Sequence, residues 1–396
     1  MKKIIKQIAR KFGIEISRYN PIIYEKKVVS LKSKNGNKGN VLLSFIIKPF
    51  LSKNYNEPSN ASHIWECFQI AQTFLDLGYS VDVINYQNKN FIPKKNYSIF
   101  IDIYTNLERI APLLNKGCIK ILYPILAHWL FNNYASYKRS LELQKRKGVV
   151  IGGLRLLSSN QSIEDADCVI SKANEFTINT FRYANKPFYR VPQITAVLLP
   201  WPQEKDFEAC RKNFLWLSGG GLVHKGLDLA LDAFSEMPDY HLYVCGAIQK
   251  EKDFEKAYYR ELYETSNIHT IGWVDINSSK FIEIANNCIG HIHLSCSECG
   301  GASVLICMHA GLIPIVSYES SVDVHDFGVI LNDCSIETIK RSIQEIANLP
   351  AEKLRWMSRK AWEFARENHT REKFAEEYKK VITHIIEVHR DKKGIS

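Results

Sequence analysis

Apolar residues recur along the chain in two textures, short unbroken runs and stripes at helical spacing. Val41 to Ile47 is a continuous apolar run, as a strand buried on both faces of a parallel sheet requires. Ile64, Cys67, Phe68, Ala71, Phe74 and Leu75 follow at helical spacing, Gly78 stops that helix, and SVDVINY (80–86) reads as the next strand. Further runs at 97–103, 119–125 and 167–171 extend this βαβ pattern. Prolines between 192 and 203 interrupt it, and a second series begins at Asn213. There FLWLSGG (214–220) is a strand entering a glycine-rich turn, Leu227, Ala230, Leu231 and Phe234 mark a helix, and 241–246, 268–274, 290–297 and 312–317 read as strands. The expected fold class is α/β, with two Rossmann-like doubly wound domains facing a cleft: an N-terminal domain over 41–200, a C-terminal domain over 201–370, and a hinge near 200. Phe374, Tyr378, Val381, Ile382, Ile385 and Val388 share one face of a closing helix over 371–390 that completes the N-terminal domain.

Residues 1–40 read as a basic amphipathic leader and joint. Ile4, Ile5, Ile8 and Phe12 form one helical stripe among Lys2, Lys3, Lys6, Arg10 and Lys11. Such a helix at residues 1–12 either lies on an anionic membrane surface or docks on the protein itself, with NGNKGN (35–40) as a flexible joint behind it. The leader holds eleven basic and two acidic residues, so it carries +9 of the net charge of +10. The body is nearly neutral, and the high pI is no sign of nucleic-acid binding. At 396 residues, 45% hydrophobic and 24% charged, the chain is excluded from the disordered, collagenous and disulfide-scaffold classes. Its ten cysteines follow no apolar signal segment and read as reduced thiols in a cytoplasmic protein, at the inner face of the membrane if the leader binds there. Cys299 to Tyr318 is uncharged, but Gly311 and Pro314 split it into a helix and a strand, so no membrane span is expected.

Two segments carry candidate chemistry. SGGGLVHKG (218–226) joins a buried strand to a helix, where Gly219, Gly220 and Gly221 let backbone approach a ligand and Lys225 places a cation within reach of a diphosphate. It departs from the dinucleotide fingerprint and from the P-loop. SCSECGGASVLICMHAGLIPIVS (295–317) puts Glu298 at a strand end, Gly300 and Gly301 in a turn, and Ala302 and Ser303 at the start of a helix. A carboxylate that accepts from hydroxyls, next to a helix N-terminus that suits phosphate, matches a sugar joined to a diphosphate; the lesser alternative is Glu298 as a first-turn acid that caps the helix.

Both segments resemble the glycosyltransferases of the GT-B fold, family four (glycosyl transferases group 1), and the order of elements is similar over nearly the whole chain. The resemblance rests on Gly219, Lys225-Gly226, Ser297-Glu298, Gly301, Leu305, Met308 and Gly311. It implies a nucleoside-diphosphate sugar as donor substrate and no further cofactor. Lys225 would bind the diphosphate, Glu298 a sugar hydroxyl, and Trp273 and Val274 would lie where the base is held. Three positions depart from the family pattern. Gly220 stands in place of a phosphate-binding arginine, Ile306 in place of a ribose-binding glutamate, and Cys299 in place of a glycine.

In the N-terminal half, His63 and Glu66 at the first helix and Asn174 after the 167–171 strand are acceptor-side candidates. His128, beyond the 119–125 strand, resembles a cleft histidine near the transfer site and joins Lys225 and Glu298 as a catalytic candidate. His63 and His128 are each as readily structural. Asp165-Ala166-Asp167 looks like a metal-binding DxD, yet Asp167 opens a strand and reads as structural. Cys296 and Cys299 form a lone CxxC, so no metal is expected.

Three functions remain open at this stage. The first is transfer of a sugar from a nucleoside-diphosphate sugar to a glycan or lipid-linked acceptor, retaining by resemblance, in surface polysaccharide biosynthesis. The second is a nucleotide-sugar epimerase on the same fold. The third, motivated by Gly220 and Ile306, is a non-catalytic binding protein with a degenerate donor site.

Overall fold

A computed structural model describes residues 26–51, 62–195 and 197–394. The expected leader helix at 1–12 lies outside the described residues. The chain builds two sheets. The first contains β1 (Val28–Leu31), β2 (Asn40–Phe45), β3 (Ser80–Asn85), β4 (Ile99–Asp102), β5 (Ile119–Leu122), β6 (Cys168–Ser171) and β7 (Phe188–Arg190), in the order β1-β3-β2-β4-β5-β6-β7. All its pairings are parallel except β1 with β3. The second, wholly parallel, contains β8 (Asn213–Ser218), β9 (His241–Gly246), β10 (Ile268–Gly272), β11 (Gly290–His293), β12 (Ile313–Ser317) and β13 (Val329–Leu331), in the order β10-β9-β8-β11-β12-β13. These are two parallel-sheet α/β domains. The helices that position the site are α1 (Ser62–Asp76), α2 (Trp129–Lys147), α3 (Glu175–Phe181), α4 (Leu227–Ser235), α5 (Ala302–His309) and α6 (Arg371–Gly394).

The continuous apolar runs follow from burial on both faces. Val41, Leu43 and Phe45 of β2 pack with Trp65 and Phe74 of α1 and with Phe374, Tyr378, Ile382 and Ile385 of α6. Leu42 faces the other way, with Phe100, Leu122, Val169 and Phe181. Each such side chain contributes about 1.5–3 kcal/mol by leaving water, so one polar substitution in β2 disturbs two layers.

The structure corrects the leader-and-joint reading of 1–40 in its second half. Val28–Leu31 is an edge strand, paired from Val28 opposite Ile84 to Leu31 opposite Val81, and Ser30 Oγ donates to Asp82 Oδ1 at 2.7 Å. An edge strand buries few of its side chains, and the lysines flanking this short run mask it in the sequence. The joint is packed as well. The Lys38 N–H donates to the Gly78 carbonyl at 2.9 Å, and a Cβ on Gly39 would lie 2.2 Å from Ser98 Oγ.

A second finding concerns α2. Leu143 near its end, and Ile151 after it, are buried in the core of the second domain with Leu222, Leu227 and Ala230. Arg146 pairs with Asp228 at 2.5 Å and Asp232 at 3.0 Å, while Lys147 pairs with Asp232 at 3.2 Å and Glu261 at 2.6 Å. Residues 139–155 therefore pack on the second domain as well as the first, which the proline-marked boundary near 200 does not disclose. No described helix is long and apolar enough to cross a membrane. All ten cysteines are unbridged.

Candidate functional site

The site lies where β8 and β11 end. β8 stops at Ser218, and the backbone reaches α4 through Gly221 at φ +74° and Gly226 at φ +71°, a region that glycine enters without a steric penalty. Gly226 has a second reason to be glycine, because a Cβ there would stand 2.5 Å from both Leu294 Cβ and the Leu294 carbonyl oxygen. This close approach carries Lys225 against the exit of β11, which is shorter than the expected 290–297 and ends at His293. Past it the chain bends, with the Cys296 N–H donating to the His224 carbonyl at 2.9 Å. Lys225 and Glu298, the two residues expected to hold a donor, are brought together as an ion pair, with Glu298 buried and Lys225 mostly withdrawn from water. Glu298 Oε1 also accepts from Ser295 Oγ at 2.8 Å, and His293 Nε2 stands 3.9 Å from it.

Electrostatics around the pair favour an anion. Burial, and then the neighbouring Arg155 guanidinium, push the Lys225 ammonium well below its ordinary range. His224 donates from Nε2 to the Ser297 carbonyl at 2.7 Å and faces Ser136 Oγ at 3.2 Å through Nδ1. Burial first, then Arg155 and Lys225, depress its imidazole to about 3, so it is neutral at physiological pH.

The glycine turn already binds a carboxylate. The Gly221 N–H donates to Glu251 Oε1 at 2.6 Å, and the Leu222 N–H reaches Oε2 at 3.1 Å. A Cβ on Gly219 or Gly220 would meet no heavy atom within 3.4 Å, so the turn is open on that side. Gly301, at φ +44°, precedes α5 and would clash with Val322 Cγ2 at 2.3 Å if substituted; Gly300, at φ +93°, lies against Gln193. Ala302 and Ser303 form the first turn of α5, and Ser303 Oγ faces His293 Nδ1 at 3.5 Å. Ile306 packs beside the cluster of Leu215, Leu217 and Cys307. Trp273 follows β10 and is 70% exposed, whereas Val274 is buried.

The N-terminal candidates separate. Asn174 caps α3 through Phe176 N (3.1 Å), and its side-chain oxygen accepts from Ser321 Oγ at 3.0 Å, which places it in the seam between the domains and not on an open wall. Beside it Thr177 Oγ1 reaches the Glu298 carbonyl at 2.6 Å, and Cys299 Sγ lies 3.4 Å from the Pro124 carbonyl. The cleft is closed around the backbone of Glu298. Glu66 is fully buried and clamped by Lys172 Nζ, 2.9 Å from each carboxylate oxygen, with His63 Nδ1 at 3.3 Å from Oε2. Its role is to hold β6 on α1, and only the half-exposed His63 remains open to a ligand.

His128 caps α2 and is held by Leu130 N at Nδ1 (3.4 Å) and by the Tyr183 hydroxyl at Nε2 (3.1 Å). Burial lowers its pKa, against the opposing charge of Glu164. It lines a cavity of about 310 Å³ at the ends of β4 and β5, walled by Tyr86, Tyr104, Pro124, Trp129 and Phe181. Aromatic walls with a neutral imidazole suit a sugar ring or an apolar chain that ends in a hydroxyl.

Asp167 pairs with Lys120 at 3.0 Å and accepts from its N–H at 2.8 Å, at the opening of β6. Among the described residues no three His, Cys, Asp or Glu side chains converge as metal ligands, and Cys296 turns to His224 while Cys299 turns to Pro124. Sequence reasoning missed Lys172, Glu251 and Arg155. Their sole local signal is Gly152-Gly153 ahead of Arg155, which marks a segment able to fold back.

Two α/β domains, each built on a parallel sheet, make up the GT-B fold. Solved structures share it. Sucrose-phosphate synthase from Thermosynechococcus elongatus matches with TM-score 0.62 at 12% identity, over 89% of this chain and 100% of that one. HepE of Anabaena, solved with UDP and glucose, matches with TM-score 0.54 at 10% identity, over 87% and 100%. WaaG, a glycosyltransferase involved in lipopolysaccharide biosynthesis, matches with TM-score 0.50 at 12% identity, over 87% and 99%. No protein-family profile and no curated protein sequence matches the chain.

Proposed function

We propose that the protein is a glycosyltransferase that moves a sugar from a nucleoside-diphosphate sugar to a hydroxyl of a glycan or lipid-linked acceptor. The observation that carries this reading is the Lys225–Glu298 pair at the adjacent C-terminal ends of β8 and β11. Until a donor enters, Glu298 is the carboxylate partner of Lys225, whose charge burial and Arg155 disfavour and an entering diphosphate would favour. The ammonium would then turn to the diphosphate and the carboxylate to a sugar hydroxyl. The leaving group is an anion whose charge grows in the transition state, so a desolvated ammonium aimed at it stabilises the transition state more than the ground state. The first turn of α5 adds its N-terminal dipole without metal.

The aromatic cavity at His128 would hold the acceptor, and the attacking hydroxyl would reach the imidazole by taking the place of the Tyr183 hydroxyl at Nε2. The resemblance supports retention of anomeric configuration, and the basic leader supports a place in surface polysaccharide assembly. The basic residues of 1–12 would keep a cytoplasmic enzyme near an anionic membrane that carries its acceptor.

A second reading, non-catalytic binding, is favoured by one observation, the Glu251 carboxylate seated on the turn amides. The experiment that tests both is thermal stabilisation across UDP-, GDP-, ADP- and CMP-sugars without metal, followed by release of the nucleoside diphosphate with acceptor glycans. A responding donor that is turned over supports the enzyme. A responding donor that is never consumed overturns catalysis, and no response in a folded protein overturns the enzyme and supports the binding protein with a degenerate donor site.

A further inference from the structure

We propose that Arg155, carried by the N-terminal half of the chain, is a phosphate ligand of the donor site, closing over the Gly219–Gly221 turn opposite Lys225. The inference rests on the nucleoside-diphosphate reading above and adds a residue that neither the glycine turn nor the Glu298 segment supplies.

The geometry begins at the end of α2. Gly148, at φ +68°, terminates that helix, and residues 149–161 cross to the second domain with no helix or strand before 162. Ile151 anchors the crossing in the core beside Leu222 and Val223, and the Gly152 N–H donates to Asp253 Oδ2 at 3.2 Å. The return is anchored too. The Arg155 carbonyl accepts from Asn132 Nδ2 at 2.7 Å, while Asn133 makes a two-way bond with Leu157, at 2.8 Å in each direction. Held at both ends, the Arg155 stem lies on the bare backbone of Gly221, so close that a Cβ there would stand 2.6 Å from Arg155 Cδ.

What this placement does with charge points to a ligand. Among the described residues no carboxylate lies within ion-pair distance of the Arg155 guanidinium; Glu251 acts on it only from farther off, burial outweighs that attraction, and the guanidinium is close enough to Lys225 and His224 to disfavour a positive charge on either. Two cations brought together in a low-dielectric pocket repel each other, and an anion of two or more charges removes that cost. Glu298 answers Lys225 alone. Glu251 is engaged by the turn amides, which shows that the Gly221 and Leu222 N–H groups can donate to an oxyanion. The cavity enclosed by Arg155, Gly221, His224 and Glu251 is only about 20 Å³, room for one water. A diphosphate therefore enters by displacing Glu251 and lifting the 149–157 segment, and Arg155 then returns over it. Planar guanidinium donors suit two phosphate oxygens at once.

The test measures binding of inorganic pyrophosphate, of UDP, GDP and ADP, and of the three parent nucleosides, to the full-length wild type and to Arg155→Ala, Arg155→Lys and Arg155→Gln. We expect Arg155→Ala and Arg155→Gln to weaken pyrophosphate and the bound diphosphate at least tenfold, Arg155→Lys to recover part of the loss, and the matching nucleoside to bind all four proteins alike. Diphosphate affinity within twofold of wild type in a folded Ala or Gln variant overturns the proposal while leaving the donor reading intact. Equal losses for nucleoside and diphosphate also overturn it, since they mark Arg155 as a packing residue. A wild type that binds none of these compounds overturns the donor reading and the proposal together.

Discussion

Lys225, in the turn after β8, and Glu298, in the turn after β11, neutralise each other in a site sealed by the backbone of Gly226 on Leu294 and by Thr177 on the Glu298 carbonyl. Removing one member leaves a buried charge alone, which costs about 3–5 kcal/mol, whereas replacing both by apolar groups of similar size is close to neutral. Lys225→Met and Glu298→Leu are each expected to lower stability by about 3 kcal/mol in urea unfolding, and the double variant to recover most of it. All three are expected to lose the thermal response to nucleotide sugars.

Glu66 and Lys172 form a second buried pair with a different signature. Burial raises the Glu66 pKa, but Lys172 and His63 outweigh it and hold the carboxyl below its ordinary value. A depressed carboxylate stabilises the fold above its unfolded pKa of about 4.3, and that contribution is lost as pH falls through the folded value. In Lys172→Met burial acts with far less opposition, the folded carboxyl titrates higher, and stability is expected to fall as pH rises from 5 to 8. Urea melts across that range check the reversal of slope.

Buried imidazoles add an acid limit. His291 and His309 are each lowered to about 4, mainly by burial. A histidine whose folded pKa is depressed stays neutral at no cost above its unfolded value of about 6.5 and opposes folding progressively below it. Stability is expected to decline from pH 6.5 to pH 4. His309→Leu is expected to flatten that decline by about 2 kcal/mol at pH 4 in the same assay.

The three glycine positions of the turn and helix start are not equivalent. Gly219→Ala meets open space and is expected to change stability by less than about 0.5 kcal/mol. Gly221→Ala combines positive φ with the Arg155 stem and is expected to cost about 1–2 kcal/mol, because a side chain can move. Gly226→Ala meets the Leu294 backbone, which cannot, and is expected to cost more than about 3 kcal/mol. Thermal melts of the three variants give the order.

His128 is expected to act on the acceptor alone. Its partners are Leu130, Thr180 and Tyr183, all in the N-terminal half, and the cavity it lines is separate from Lys225. With a donor identified, His128→Ala should raise the acceptor KM or lower kcat at least tenfold while the donor Kd stays within twofold. A weakened donor Kd would show that the two pockets are coupled.

Periodicity alone was enough to read two βαβ series, the strand-end placement of Lys225 and Glu298, and the apolar face of α6. These are local properties: a strand buried on both faces is apolar at most of its positions, and a helix that packs on a sheet must repeat near 3.6 residues. The edge strand Val28–Leu31 escaped because a strand with one open side needs few apolar residues. Glu66 and Asn174 were legible as strand-end or helix-start polar groups, but their partners, Lys172 and Ser321, are remote in the chain, so no spacing shows that both side chains are already engaged. The same holds for Arg155 over Gly221, for Glu251 on the turn amides, and for α2 spanning both domains. Sequence by itself determined where backbone can turn and which faces must leave water. Only the tertiary structure decided which charges meet, because ion pairing and desolvation depend on distances that the fold sets between residues far apart in sequence.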